Sequence, residues 1–105
     1  MKVKFIHESG HYAEIDTGKT SLAFASHELA KLALSDELLP HDLSKKSQSV
    51  EIVFETEDVD QAYAHAVNSG AVAVTPPTDM PWGQRLSRVR DCEGVLVEIA
   101  SPMQQ

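Results

Sequence analysis

The side chains that could do chemistry in this 105-residue chain are few. Two glutamates, Glu51 and Glu98, lie in apolar, alternating runs, VEIVFET (50–56) and VLVEIAS (95–101). Strand side chains alternate between faces, so Ile52 and Phe54 mark one face of the first run, and Val95, Val97 and Ile99 mark one face of the second. Glu51, Val53 and Glu55 then share the opposite face with Leu96, Glu98 and Ala100. Such an acidic face favours a cationic ligand. Two carboxylates without imidazole make a poor transition-metal site, although a hard cation can sit there weakly. The five histidines (His7, His11, His27, His41 and His65) fall in turns, a helix start, a linker and a polar helix face, and read as solvated. Cys92 has no local base and no Gly-x-Ser-x-Gly elbow exists, so a nucleophilic triad is unsupported. The loop TPPTDMPWGQR (75–85) is more informative. Prolines stiffen it, and Met80 with Trp82 makes an adaptable apolar wall for a planar or cationic ligand. A tryptophan packed at a dimer seam is the equal alternative. Arg85, Arg88 and Arg90 follow on the next strand, where they can pair with nearby carboxylates.

The elements that position these residues are legible. VKFIHE (3–8), HYAEIDT (11–17) and TSLAFAS (20–26) read as three strands on tight turns, a meander. Alternation in the first sets Val3, Phe5 and His7 against Lys4, Ile6 and Glu8. Ser26 can cap a short helix through Leu34 with Leu29, Leu32 and Ala33 on one side, and 35–40 can continue it. The polar stretch 41–49 is a linker. Asp58, with Gln61 three residues on, forms a capping-box pattern opening a helix. Its stripe is Val59, Ala62, Tyr63, Ala66 and Val67, and Asn68-Ser69-Gly70 ends it. AVAVTPP (71–77) reads as a strand stopped by two prolines, RLSRVRD (85–91) as another, and Asp91-Cys92-Glu93-Gly94 as a turn into the last strand.

Composition bounds the function. Nine basic against sixteen acidic side chains leave a net charge of −7, which disfavours nucleic acid and anionic membranes. No apolar run approaches the roughly 18 residues of a membrane span. A single cysteine excludes an internal disulfide and fits a cytoplasmic location.

The segments EIVFETEDVDQAYAHAVNSGA, PWGQRLSRVRD and DCEGVLVEIASP together resemble one βαβββ module of the vicinal oxygen chelate superfamily, the glyoxalase, bleomycin-resistance and ring-cleaving dioxygenase group. The resemblance implies an α+β fold in a single domain, 1–105, with a complete module at 50–102. Residues 1–26 are similar to the last three strands of a partner module whose opening strand and helix are missing, and 27–49 connect the two. In the superfamily paired modules curl around a shared cavity. The uncovered apolar strands here imply a homodimer or higher homo-oligomer. Superfamily enzymes hold a divalent metal on strand residues. Glu98 matches the final-strand carboxylate ligand, and Glu51 stands where metal-binding members carry His. The remaining ligand positions map to Ala23 and to the missing segment, so no cofactor is expected, with a divalent metal on Glu98 and Glu51 as the alternative. The resemblance implies a small-molecule-binding protein that sequesters an apolar aromatic or cationic compound. Trp82, Met80, Val53, Leu96, Glu51 and Glu98 would line the site. The alternatives are a glyoxalase-like metal-dependent lyase or dioxygenase completed by a partner chain, and an inactive self-associating remnant.

Overall fold

A computed structural model describes residues 2–34, 40, 42–47 and 50–103. The expected helix continuation over 35–39 lies outside these residues. The chain forms two compact units, Met1–Pro40 and His41–Gln105.

The first unit is the expected meander: β1 (Lys2–Ile6), β2 (Tyr12–Asp16) and β3 (Ser21–Ala25) in spatial order β1-β2-β3, then α1 (His27–Leu34). Ser26 caps α1 as its residue type suggests: its Oγ accepts the Leu29 N–H at 3.1 Å. One expectation fails. The β1–β2 register slips between Val3 and Phe5, a β-bulge at Lys4. A bulge adds a residue to one strand, so side chains beyond it exchange faces. Val3 therefore shares its face with Ile6, not Phe5. Through cross-strand partners that face continues across Ile15, Ala13, Leu22 and Phe24, and is wholly apolar. Phe5 turns to the other side, against the Tyr12 ring at 6.3 Å. Of the stripe expected on α1, Leu32 is exposed.

The second unit runs β4 (Glu51–Glu55), α2 (Val59–Asn68), β5 (Val72–Asp79), β6 (Arg85–Arg90) and β7 (Leu96–Ala100). Its sheet order is β4-β7-β6-β5, with β4 parallel to β7 and the other pairs antiparallel. This is the βαβββ arrangement. The α2 stripe is the less exposed side of the helix: Val59 is buried, and Ala62, Tyr63, Ala66 and Val67 are half-buried, while Asp60, Gln61, Ala64 and His65 are exposed. Val59, Val89 and Ile99 are buried on the α2 side, while Leu86 and Ala100 are buried on the opposite face, the one that carries Glu98. Burying a side chain of valine or leucine size contributes roughly 1.5–3 kcal/mol.

Both ends of α2 are satisfied. The Asp58 carboxylate accepts the Gln61 N–H at 3.0 Å, but the reciprocal capping-box arm is not made. Thr56 Oγ1 instead accepts the Asp58 N–H at 3.4 Å. At the other end Gly70 adopts φ 113°, and the Ala71 N–H bonds back to the Ala66 carbonyl at 3.0 Å. Arg85 ties α2 to the sheet. Its Nε and Nη2 donate to both Asp60 oxygens at 2.9 Å, and its Nη1 donates to Asp79 at 3.0 Å. These hydrogen bonds hold the Asp60 carboxyl below its ordinary range against the opposing effect of desolvation.

Pro76 and Pro77 do not stop β5, which runs on to Asp79. The strand lies at the sheet edge, and its register slips between Thr75 and Thr78, so the missing proline N–H groups break no ladder bond.

Candidate functional site

The register of the second sheet decides which groups meet. Glu51 pairs with Leu96, and Val53 with Glu98, so these four share a face as alternation predicts. On the other side of β7, Glu98 pairs with Arg88, and Leu96 with Arg90. Arg85 projects to the α2 side, so Arg88 and Arg90 belong to the face carrying the glutamates.

Arg88 is the centre of that face. Its Nη2 donates to Glu98 Oε1 at 2.7 Å and its Nε to Glu51 Oε2 at 3.4 Å. The Glu98 side chain is 11% exposed, whereas Glu51 and Arg88 are about one-third exposed. The short Arg88–Glu98 bond is the strong one, since a charge-assisted hydrogen bond gains as water is excluded. Glu51 is held loosely, and its side chain stays partly in water beside half-exposed Val53. The acidic face expected from sequence therefore carries cations as well: Arg88 bridges the two carboxylates, and Arg90 stands at the end of the same face.

Arg90 closes one end. Its Nε donates to the Gly94 carbonyl at 2.9 Å, and its Nη atoms donate to the Leu43 and Asp42 carbonyls at 3.2 Å. The linker segment is thereby pinned onto the β6–β7 hairpin. That hairpin turns as its residues suggest: Asp91 Oδ1 accepts the N–H groups of Glu93 and Val95 at 2.9 Å. Cys92 is free and exposed there.

Trp82 stands beyond the other end, at the tip of the β5–β6 hairpin, which is closed by the Met80 N–H to the Gln84 carbonyl at 2.7 Å. Trp82 is 54% exposed, and its indole N–H donates to Gln84 Oε1 at 2.9 Å. Gln84 Nε2 donates in turn to the Ser101 carbonyl at 3.0 Å, which fixes the hairpin to the end of β7. Met80 is half-buried at the base of the hairpin. Gln84 precedes Arg88 by four positions, about 13 Å along an extended strand. Trp82 therefore flanks the carboxylate–arginine cluster instead of lying on it.

Two of the histidines have hydroxyl partners within the first unit. His7 Nδ1 lies 2.8 Å from Ser9 Oγ, and His11 Nδ1 lies 2.8 Å from Ser26 Oγ. His65 is exposed on α2. Ala23 sits mid-strand opposite Glu14 and has no donor atom to offer. Among the described residues no group of three or more His, Cys, Asp or Glu side chains is placed to hold an ion. Sequence reasoning named Arg88 as one of three arginines that can pair with nearby carboxylates; that it is the one binding both glutamates emerges from the register.

A family model described as the glyoxalase-like domain matches residues 1–104. The chain belongs to this family. Solved structures agree on the fold. The glyoxalase-like chain is similar to a glyoxalase-related enzyme from Fulvimarina pelagi at 16% identity, covering 95% of this chain and 69% of that one, with a TM-score of 0.80. A glyoxalase/bleomycin resistance protein/dioxygenase from Nocardioides matches at 18% identity over 98% and 68% of the two chains, TM-score 0.70. A superfamily member from Sphaerobacter thermophilus matches at 22% over 87% and 66%, TM-score 0.62. No curated protein matches significantly. The family match places the chain in the vicinal oxygen chelate superfamily.

The divalent metal implied by that superfamily does not suit the residues present. The final-strand carboxylate, Glu98, is already committed to Arg88, and no imidazole shares its face among the described residues. A cation entering there would have to displace a guanidinium or share space with its charge.

Proposed function

We propose that this glyoxalase-like protein binds a small, planar, largely apolar molecule on the Glu51–Glu98 face without metal chemistry, sequestering it. The observation that carries this reading is the Arg88 bridge, which turns two potential metal ligands into a polar anchor of fixed geometry. Val53 and Leu96 supply apolar surface beside it, and Met80 with Trp82 supplies a second apolar patch at the hairpin end of the same sheet. The remaining negative charge rests on loosely held Glu51, which suits neutral or singly cationic compounds. Titration with a panel of neutral and cationic aromatics should quench Trp82 fluorescence saturably. Trp82→Ala should weaken binding about tenfold with the fold intact, the size expected from losing one aromatic contact of roughly 1.4 kcal/mol. A panel with no effect on Trp82, or a substitution that changes only association state, would remove this reading.

The same proposal makes the protein a homodimer or larger, resident in the reducing cytoplasm, with no nucleic-acid or membrane partner. Val3, Ile6 and Phe24 are large, exposed and on one apolar face, an arrangement that soluble monomers rarely leave in water. Among the described residues no helix is long and apolar enough to cross a membrane. Sedimentation at micromolar concentration should give a dimer or larger; a compact monomer is the contrary outcome.

A further inference from the structure

On the reading that this face binds small molecules, we infer that Arg88 and Glu98 select a neutral ligand group carrying a hydrogen-bond acceptor beside a donor. The primary carboxamide and the lactam are the simplest members of that class. The inference rests on what the cluster leaves unmade. Arg88 spends Nη2 on Glu98 and Nε on Glu51, and its Nη1 has no partner among the described residues. Glu98 spends Oε1 on Arg88, and its Oε2 takes no hydrogen bond from the described residues. Glu98 is 8% exposed. A carboxylate this little exposed, with one oxygen unbonded, is costly, and native structures usually supply such an oxygen with a water or ligand.

The two open groups are opposite in kind. Nη1–H needs an acceptor, and a carboxylate oxygen needs a donor. A carboxamide presents both on one planar group, so its carbonyl can take the Arg88 N–H while its N–H satisfies Glu98. An ester supplies the acceptor alone. A carboxylate supplies acceptors alone and a negative charge, placed directly against Glu98 and Glu51. An amidinium supplies donors alone and must draw on Glu51, with Arg88 repelling it.

The test compares four probes on one ring: 2-naphthamide, methyl 2-naphthoate, 2-naphthoate and 2-naphthamidine, each titrated calorimetrically into the full chain. The expected ranking puts the carboxamide at least tenfold tighter than the ester, as follows from hydrogen bonds to charged groups. The carboxylate should be weakest. Arg88→Lys keeps a positive charge beside Glu98 but removes the planar fork, and should shrink the carboxamide-to-ester ratio to below about threefold. If the ester binds as well as the carboxamide, or the preference survives Arg88→Lys, the donor–acceptor inference is overturned while small-molecule binding stands. If none of the four binds, both fail. The wild-type ranking decides the matter even where the lysine variant folds poorly.

Discussion

Arg88→Ala should lower folding stability by about 2–3 kcal/mol, because it strands Glu98. Removing one partner of a buried ion pair typically costs roughly 3–5 kcal/mol, and the one-third exposure of Arg88 reduces that. The sign of the companion experiment is more revealing. Replacing both charges at once, Arg88→Met with Glu98→Leu, removes the unpaired charge along with its partner. Such double replacements are often neutral or stabilising, so the double variant should fall within about 1 kcal/mol of the parent. Urea unfolding of the three proteins checks this. A near-neutral Arg88→Ala would mean that Glu98 is hydrated and that Arg88 does not hold it.

Gly94→Ala should be at least as damaging, at about 3 kcal/mol. Gly94 has φ 97°, where any side chain is strained by roughly 1–2 kcal/mol. An added Cβ would also lie 2.7 Å from Arg90 Nη2 and 2.9 Å from the Leu43 backbone nitrogen. Arg90 could swing away, but only by surrendering its bonds to Asp42 and Leu43. The backbone at Leu43 cannot yield so easily, and overpacking of this kind adds roughly 1–3 kcal/mol. Thermal unfolding would show the loss. A variant with unchanged stability would mean that the linker is not held against the turn.

Much of the second unit could be read directly from residue types. Ile52 and Phe54 alternate with Glu51 and Val53, and the 3.6-residue spacing from Val59 to Val67 has one helical solution, so faces and stripe follow. The misses share a cause: each depends on a neighbour that local pattern does not specify. Lys4 carries no Gly or Pro to mark a bulge, so alternation places Phe5 beside Val3 until pairing with β2 is known. Pro76 and Pro77 look like a stop, but in an edge strand their missing donors face no partner. Arg88 is the instructive case. Three arginines lie along β6, and a hairpin with only Cys92 and Glu93 between its paired ends would set Arg88 opposite Val97. Asp91 instead pairs with Val95, with Gly94 at positive φ, and this moves Arg88 onto Glu98. One residue of register separates an acidic metal-like face from an arginine-bridged one.

The most direct test of an arginine in place of a metal is calorimetric titration of the metal-free protein with Mn²⁺, Ni²⁺ and Zn²⁺, backed by elemental analysis of the protein as purified. An arginine-bridged site gives no saturable binding at micromolar ion concentration and less than one transition ion per chain. One tightly bound ion per chain, lost in Glu98→Ala, would contradict it and return the site to metal-dependent chemistry.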